Sequence, residues 1–245
     1  MQDPLDRVLV VMPAFNEEAS VGRTVREVIG ALPEVDVLVV DDGSVDRTAQ
    51  VATEAGALVL RLPFNLGVGG AMRAGFRYAV ANGYRVAVQI DADGQHDPAG
   101  VPALLAKLDE ADVVLGARFA GEGEYRSAGP RWWAMRLLAV SLSRLAGTTL
   151  TDTTSGFRAS GPRALRLFAE HYPAEYLGDT IEALVIAVRS GCIVRQVPTS
   201  MRARSGGVPS HNPVKSAVYL GRAMLAMVFA MLRPASTFEM GVSEP

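Results

Sequence analysis

The 245-residue sequence has only one cysteine, Cys192, so no disulfide can form within the chain. A single thiol of this kind fits a reducing compartment. No stretch reaches the roughly 18 consecutive apolar residues that a membrane-spanning helix requires. The longest apolar run, over residues 223–232, has an arginine at each end. Residues 1–6 are few and polar, so we expect no signal peptide.

Net charge is also low, but it is unevenly distributed. The formal net charge is −2, and 49% of the residues are hydrophobic, as in folded globular proteins rather than disordered ones. Acidic residues outnumber basic ones in residues 1–114, whereas arginine predominates in residues 115–235. Arginine binds phosphate through a planar, bidentate fork. The second half is therefore expected to face phosphates or a membrane surface, although drift in surface charge would leave the same pattern.

The first 116 residues alternate short apolar strands with helices. This pattern predicts an α/β fold with a mostly parallel central sheet flanked by helices. The predicted strands are Val8–Met12, Val35–Val40, Ala57–Leu62, Arg85–Ile90 and Asp112–Leu115, and the predicted helices are Glu17–Leu32, Asp46–Ala55, Val68–Asn82 and Pro98–Leu108.

The second half is mainly helical. Helices are predicted near residues 130–145, 162–170, 179–190 and 213–232, with one strand at Ile193–Val197. No repeat or linker divides the chain, so we expect a single domain over residues 1–235, with halves at 7–116 and 117–235, and a disordered tail over 236–245.

Polar clusters follow three of the predicted strands, where ligands bind in open α/β sheets. The strongest is Asp91-Ala92-Asp93-Gly94-Gln95. On an extended chain, alternate residues point to the same side, so Asp91 and Asp93 can face one ion and Gln95 can add a neutral oxygen. Hard oxygen ligands suit Mg²⁺ or Mn²⁺. A solvated turn at the end of a strand is the simpler alternative.

The other two clusters have both a ligand-binding and a structural interpretation. In Asp41-Asp42-Gly43-Ser44, one carboxylate can bind a nucleobase or ribose while the other caps the turn, or both can simply cap a strand-to-helix connection. Phe15 can stack on a base and Glu17 can bond a nucleotide, or the run from Asn16 can merely begin a helix. His96 can be a metal ligand, but a histidine there more often supports the ligands.

These motifs, in this order, resemble glycosyltransferase family 2. The pattern is similar to that of the polyprenyl-phosphate sugar synthases, typified by dolichol-phosphate mannose synthase, and covers roughly residues 8–215. The motifs of the first half are specific to the family at large, and those of the second half are looser. The resemblance rests on runs 13–17, 40–44, 65–71 and 91–98, on Gly116-Ala117-Arg118, on Thr154 to Arg158, and on Arg204 three residues before Gly207.

The resemblance implies a GT-A fold with a nucleotide-sugar half (7–116) and a helical, acceptor-side half (117–235). Arg118 and Arg131 would bind the acceptor phosphate, and Arg204 would lie on a mobile loop that closes over the donor phosphates. The loop departs from the usual form because no lysine follows its serine, which leaves open whether Arg202 or Arg204 reaches the phosphate. The implied nucleoside contacts are Pro13, Ala14, Phe15, Glu17 and Asp42, and the implied metal and diphosphate contacts are Asp91, Ala92, Asp93 and Gln95.

The reaction that the resemblance implies is metal-dependent, inverting transfer of a sugar from a UDP- or GDP-sugar to a polyprenyl phosphate. With a hydroxyl acceptor a base is needed, and Asp179 or Asp152 is the candidate. Asp179 falls where inverting members often carry one, although it can equally cap a helix. A nucleotidyltransferase or a non-catalytic binding partner fits less well. We expect a cytoplasmic enzyme at the membrane face, with Trp132, Trp133 and the last helix as candidate contacts; that helix can instead pack on the domain or form a dimer.

Overall fold

A computed structural model describes residues 7–117, 130–173 and 179–202, and within the helix that begins at Pro130 it leaves out the side chains of residues 130–135 and 137. These residues form a seven-stranded sheet in the order β3-β2-β1-β4-β6-β5-β7. The α/β fold with a mostly parallel sheet is confirmed. The strands are β1 (Val8–Ala14), β2 (Asp36–Asp41), β3 (Leu58–Arg61), β4 (Val86–Gln89), β5 (Val113–Ala117), β6 (Arg158–Ser160) and β7 (Val194–Pro198).

Helices cover both faces of the sheet, because the central strands are apolar on both sides. One face packs against α3, α5, α6 and α7, and the other against α1, α2 and α4. In α1, Val21, Val25 and Val28 recur at helical spacing and are fully buried. The helices are α1 (Val21–Ala31), α2 (Thr48–Glu54), α3 (Gly67–Ala81), α4 (Val101–Ala106), α5 (Pro130–Ala146), α6 (Pro162–His171) and α7 (Asp179–Arg189).

The β6 strand was not predicted. It is three residues long and pairs antiparallel with both β4 and β5, whereas the other strand pairs of the sheet are parallel. Its sequence is Arg-Ala-Ser, which has no apolar run to mark it as a strand. The described part of residues 117–235 therefore contributes two strands to the sheet, β6 and β7, where only one was predicted.

Strand direction decides which loops meet. The carboxyl ends of β1, β2, β4 and β5 lie at one edge of the sheet because these strands are parallel. Since β6 runs in the opposite direction, its first residue, Arg158, lies at the same edge, opposite Gln89 of β4. The run Asp152 to Phe157, which precedes β6, is thereby brought to the ends of β4 and β5.

Candidate functional site

The loops after β1 and β2 are joined to each other by hydrogen bonds. The backbone N–H of Asn16 donates to Oγ of Ser44 at 2.9 Å, and Oδ1 of Asn16 accepts from the N–H of Val45 at 3.0 Å. The N–H of Glu17 donates to Oγ1 of Thr48 at 2.8 Å. Asn16 has a positive φ of 55°, a conformation that asparagine tolerates better than most residues. The residues that make these bonds are not helical, and α1 begins at Val21, four residues later than predicted.

Phe15 projects from this joined pair of loops with 43% of its surface exposed. Of the other predicted nucleoside contacts on β1 and its loop, Ala14 is buried, while Pro13 and Glu17 are partly exposed. An exposed aromatic ring at the end of a buried strand is a surface on which a base can stack. Contact between these residues and a nucleoside remains a prediction.

The two adjacent carboxylates after β2 have different partners. Oδ1 of Asp41 accepts the N–H of Ser44 at 3.0 Å and so caps the turn. Asp42 accepts the N–H groups that open α3, from Leu66 at 2.7 Å and from Gly67 at 2.8 Å. Burial raises the pKa of Asp42, and these two hydrogen bonds partly oppose that rise. Asp42 therefore anchors the start of α3, in addition to its predicted contact with the nucleoside.

The Asp-Ala-Asp-Gly-Gln segment follows β4 at the same edge. It forms a turn rather than an extended strand, so the simple alternation argument does not describe its backbone. Exposure nevertheless alternates along it: Asp91, Asp93 and Gln95 are partly exposed, while Ala92 and the residues after Asp93 and Gln95 are buried. The three oxygen-bearing side chains are thus the accessible members of the segment.

The accessible oxygens fit a hard divalent cation. The side chain of Asp91 is 41% exposed, and Asp93 accepts the N–H of Gln95 at 3.0 Å through Oδ1. Within the described ranges, no group of three His, Cys, Asp or Glu side chains is arranged to hold a metal. The predicted set has only two carboxylates and an amide. Mg²⁺ is commonly held in this way, with substrate phosphates and water supplying the other ligands.

His96 is bonded to the backbone of Asp91. It is 3% exposed, and its Nδ1 accepts the N–H of Asp91 at 3.0 Å. Nε2 lies 3.7 Å from Oδ2 of Asp91, and the ring stacks on Phe157 with centroids 5.1 Å apart. Because Nδ1 accepts a hydrogen bond, the proton of a neutral imidazole must be on Nε2, which faces the carboxylate of Asp91. This arrangement favours a supporting role for His96 over metal ligation.

The loop before β6 packs directly against Asp91. A Cβ atom on Gly156 would lie 3.0 Å from Oδ2 and 3.2 Å from Oδ1 of Asp91, and 3.1 Å from Nε2 of Gln89. Only glycine leaves these side chains in place. Nε2 of Gln89 in turn donates to Oδ1 of Asp91 at 3.3 Å. Asp91 is therefore held between β4 and a loop that lies 65 positions later in the chain.

Arg158 is fully buried beneath this loop. Its Nη2 donates to the carbonyl oxygen of Ser155 at 2.8 Å, while Nε and Nη1 have no hydrogen-bond partner among the described residues. A buried guanidinium is costly unless carboxylates lie near it. Asp179 is within electrostatic reach of Arg158 and also of Asp91.

Asp179 is the first residue of α7 and lies against the start of α3. A Cβ atom on Gly69 would be 3.2 Å from Cβ of Asp179 and would overlap the carbonyl oxygen of Pro173. Burial raises the pKa of Asp179, and the positive charge of Arg158 opposes this rise. A raised pKa increases the basicity of the carboxylate, which is what a general base requires.

A profile of the glycosyl transferase family 2 matches residues 9–167, which is more than half of the chain. The chain belongs to glycosyltransferase family 2. Its members transfer sugars, so this protein is a glycosyltransferase of the 2.4 enzyme class.

Two characterised relatives cover most of this glycosyltransferase. An undecaprenyl-phosphate mannosyltransferase of Micrococcus luteus is 35% identical over 209 residues, which cover 82% of this chain and 86% of the relative. A polyprenol monophosphomannose synthase of Mycolicibacterium smegmatis is 33% identical over 214 residues, covering 84% of this chain and 81% of the relative. Both alignments cover more of the chain than the family match and therefore include residues beyond position 167.

Solved structures agree on the fold. Glucosyl-3-phosphoglycerate synthase of Mycobacterium tuberculosis, in complex with phosphoglyceric acid, superposes with a TM-score of 0.71 at 23% identity, covering 94% of this chain and 81% of that one. A further structure of that enzyme contains Mn²⁺, UDP and glucosyl-3-phosphoglycerate. The superposition establishes the GT-A fold of the glycosyltransferase, while the low sequence identity leaves its substrates open.

Several predicted site elements of the glycosyltransferase lie outside the described residues. They are Arg118, Arg204, the side chains of Arg131, Trp132 and Trp133, the helix over 213–232 and the tail over 236–245. Among the described residues, no helix is long and apolar enough to cross a membrane. Arg202 is described, and its guanidinium binds Glu27 and Asp97. Arg202 is thus engaged with protein carboxylates, which favours Arg204 as the predicted phosphate contact.

Sequence reasoning missed three supporting residues, Gln89, Gly156 and Arg158. The run Thr154 to Arg158 was noted as a family motif, but no role was assigned to it. Its function depends on β6, which carries the run to the end of β4. The sequence did contain one signal of their importance: the family motif from Thr154 to Arg158 includes a glycine and an arginine, and no helix or strand was predicted for it.

Proposed function

We propose that this glycosyltransferase transfers a sugar from a UDP- or GDP-sugar to a polyprenyl phosphate, with inversion and with a divalent metal. The observation that carries the proposal is the similarity to two polyprenyl-phosphate mannosyltransferases over more than four-fifths of the chain. The basic second half fits an acceptor that is itself a phosphate. Peripheral contact with the cytoplasmic face of a membrane follows from a lipid acceptor and is part of the proposal.

The proposed donor site is the edge formed by the loops after β1, β2 and β4. Phe15 and Glu17 contact the nucleoside, and Asp42 orders the adjacent loop through its two backbone bonds. Asp91, Asp93 and Gln95 hold the metal with the diphosphate. When bound, the metal neutralises negative charge on the departing diphosphate.

In the proposed reaction, an oxygen of the acceptor phosphate attacks the anomeric carbon of the sugar. The new carbon–oxygen bond forms as the bond to the diphosphate breaks, and the electron pair leaves with the nucleoside diphosphate. A phosphate is already anionic at neutral pH, so no strong base is required. Arg118 and Arg131 position the acceptor, and positioning of this kind supplies much of the rate.

A hydroxyl acceptor is the second candidate, and Asp179 is the observation that favours it. The carboxylate lies within electrostatic reach of Asp91, and burial raises its pKa. A hydroxyl must lose a proton during attack, and Asp179 is suited to accept it. The two candidates share the same donor site and differ in the acceptor and in the need for a base.

The deciding experiment incubates the protein and Mn²⁺ with UDP- and GDP-sugars, with and without a short polyprenyl phosphate. We expect nucleotide release from one donor that depends on the lipid phosphate, and a glycolipid product of inverted configuration. Nucleotide release from a donor with no lipid product would instead favour the second candidate, a hydroxyl acceptor.

The metal assignment is tested with Asp93→Asn in the same assay, with the exposed Asp109→Asn as a control for loss of one charge. We expect Asp93→Asn to lose Mn²⁺ affinity and turnover, and Asp109→Asn to resemble the wild type. Near-normal turnover together with unchanged Mn²⁺ affinity in Asp93→Asn would defeat the assignment.

A further inference from the structure

The segment that carries the proposed metal ligands has little regular structure of its own. Between the end of β4 at Gln89 and the 3₁₀ turn that begins at Pro98, the chain contains three aspartates, at positions 91, 93 and 97. Like charges so close together repel one another. Holding them in one geometry before a cation binds requires contacts from elsewhere in the protein.

Arg202 contacts the segment through both its backbone and its side chain. Its backbone N–H donates to the carbonyl oxygen of Gln95 at 2.9 Å, next to an antiparallel bridge between His96 and Met201. Its side chain connects two carboxylates: Nη2 donates to Oδ1 of Asp97 at 2.8 Å, and Nη1 donates to Oε2 of Glu27 at 3.0 Å. The segment is thereby attached to α1, a helix on the core of the domain.

The Asp97 oxygen that Arg202 binds accepts a second hydrogen bond. Oδ1 of Asp97 also accepts the N–H of Ala99 at 3.0 Å and so caps the 3₁₀ turn that ends the segment. Arg202 is 47% exposed on its side chain, and Asp97 is 25% exposed. Ion pairs with this exposure contribute little to global stability. Their value here is geometric, because the bridge fixes one end of the segment that contains Asp93 and Gln95.

We propose that Arg202 is a positioning residue that holds the Asp91–Asp97 segment in its metal-binding geometry by linking Asp97 to Glu27. The proposal rests on the proposed function, in which Asp91, Asp93 and Gln95 hold the cation. Residues that orient metal ligands from outside typically change metal affinity or activity 10- to 100-fold when they are replaced. Because the bridge reaches the ligands through the backbone, we expect an effect near the lower limit, about tenfold.

The test compares Arg202→Gln, Arg202→Lys and the matched control Arg23→Gln. Arg23 pairs with the same Glu27 at 3.7 Å, but that pair lies within α1. Calorimetry of Mn²⁺ binding in the presence of UDP, and separately of GDP, is combined with kcat and with the KM for Mn²⁺ in the donor assay. We expect Arg202→Gln to weaken Mn²⁺ binding about tenfold and to raise the KM for Mn²⁺ more than it lowers kcat. Arg202→Lys should recover part of the loss, and Arg23→Gln should match the wild type.

Thermal unfolding separates positioning from damage to the fold. We expect all three variants to melt close to the wild type, and Glu27→Ala, which removes the other end of the bridge, to weaken Mn²⁺ binding in the same direction as Arg202→Gln. If Arg202→Gln and Glu27→Ala both fold and bind Mn²⁺ with wild-type affinity, the positioning role of Arg202 is overturned, while the metal-dependent function stands. No Mn²⁺ binding by the wild type with either nucleotide would instead refute the metal-dependent function on which the proposal rests.

Discussion

Replacing Gly156 by alanine should reduce activity without destabilising the protein. The added Cβ would lie 3.0 Å from Oδ2 of Asp91, and it needs about 3.4 Å for an ordinary contact. Asp91 must give way by about 0.4 Å, and Gln89, whose Nε2 would lie 3.1 Å from the Cβ, must also shift. Misplacing a reacting group by about 1 Å costs on the order of 100-fold in rate, so a shift of this size should cost about 5- to 10-fold.

Stability should respond differently from activity. Gly156 does not have a positive φ, so alanine fits its backbone. Alanine restricts the unfolded chain and gains roughly 0.4–1 kcal/mol, which offsets the local crowding. We therefore expect a midpoint of thermal unfolding within about 4 °C of the wild type.

The assay measures Mn²⁺ affinity and the rate of donor turnover for Gly156→Ala, with Gly30→Ala as the control. Gly30 lies in α1, and a Cβ atom there would meet nothing within 4 Å. The control should keep full activity and gain up to about 1 kcal/mol in stability. Wild-type Mn²⁺ affinity and turnover in Gly156→Ala would show that contact with Asp91 does not constrain the site, and the reasoning would fail.

Three further predictions concern Asp42, Asp179 and Arg118. Asp42→Ala removes the acceptor of the Leu66 N–H and one of the two acceptors of the Gly67 N–H, which keeps Oδ1 of Asn65 at 3.1 Å, and should lower the free energy of unfolding in urea by about 1–3 kcal/mol; a smaller loss than Asp109→Ala would contradict the anchoring role. Since burial raises the pKa of Asp179, its ionisation costs stability as the pH rises through that pKa. The wild type should therefore lose stability relative to Asp179→Asn as the pH rises above about 4, the ordinary pKa of an aspartate. A difference in melting temperature between the two proteins that does not change with pH would exclude this. Arg118→Ala should weaken polyprenyl-phosphate binding in a competition assay and spare nucleotide binding; equal loss of both would refute the assigned division of roles.

Local sequence was sufficient to predict which polar clusters meet at one edge of the sheet. The three polar clusters follow β1, β2 and β4, and each strand is marked by its own apolar run. Parallel strands place their carboxyl ends at one edge, so local patterns predicted that these clusters meet. Residue chemistry alone also predicted Asp91, Asp93 and Gln95 as metal ligands, because side chains with oxygen atoms can be recognised without knowledge of the fold.

The supports of the site depend on tertiary structure. Gly156 touches Asp91, and Arg202 binds Glu27, although these partners are 65 and 175 positions apart. Surface arginines have many carboxylates available, and only the folded chain selects the partner. The sequence likewise left open whether Arg202 contacts phosphate, and its two carboxylate partners favour another role.

By itself, the sequence determined the α/β fold, the family and the polar clusters that meet at one edge of the sheet, where we propose that the donor binds, because apolar periodicity and short motifs act over a few neighbouring residues. Only the tertiary structure decided that β6 inserts antiparallel between β4 and β5. A strand of three residues that begins with arginine has no pattern of its own and forms because both neighbouring strands offer hydrogen bonds. That insertion brings Gly156 against Asp91 and places Arg158 opposite Gln89, at the ends of the parallel strands.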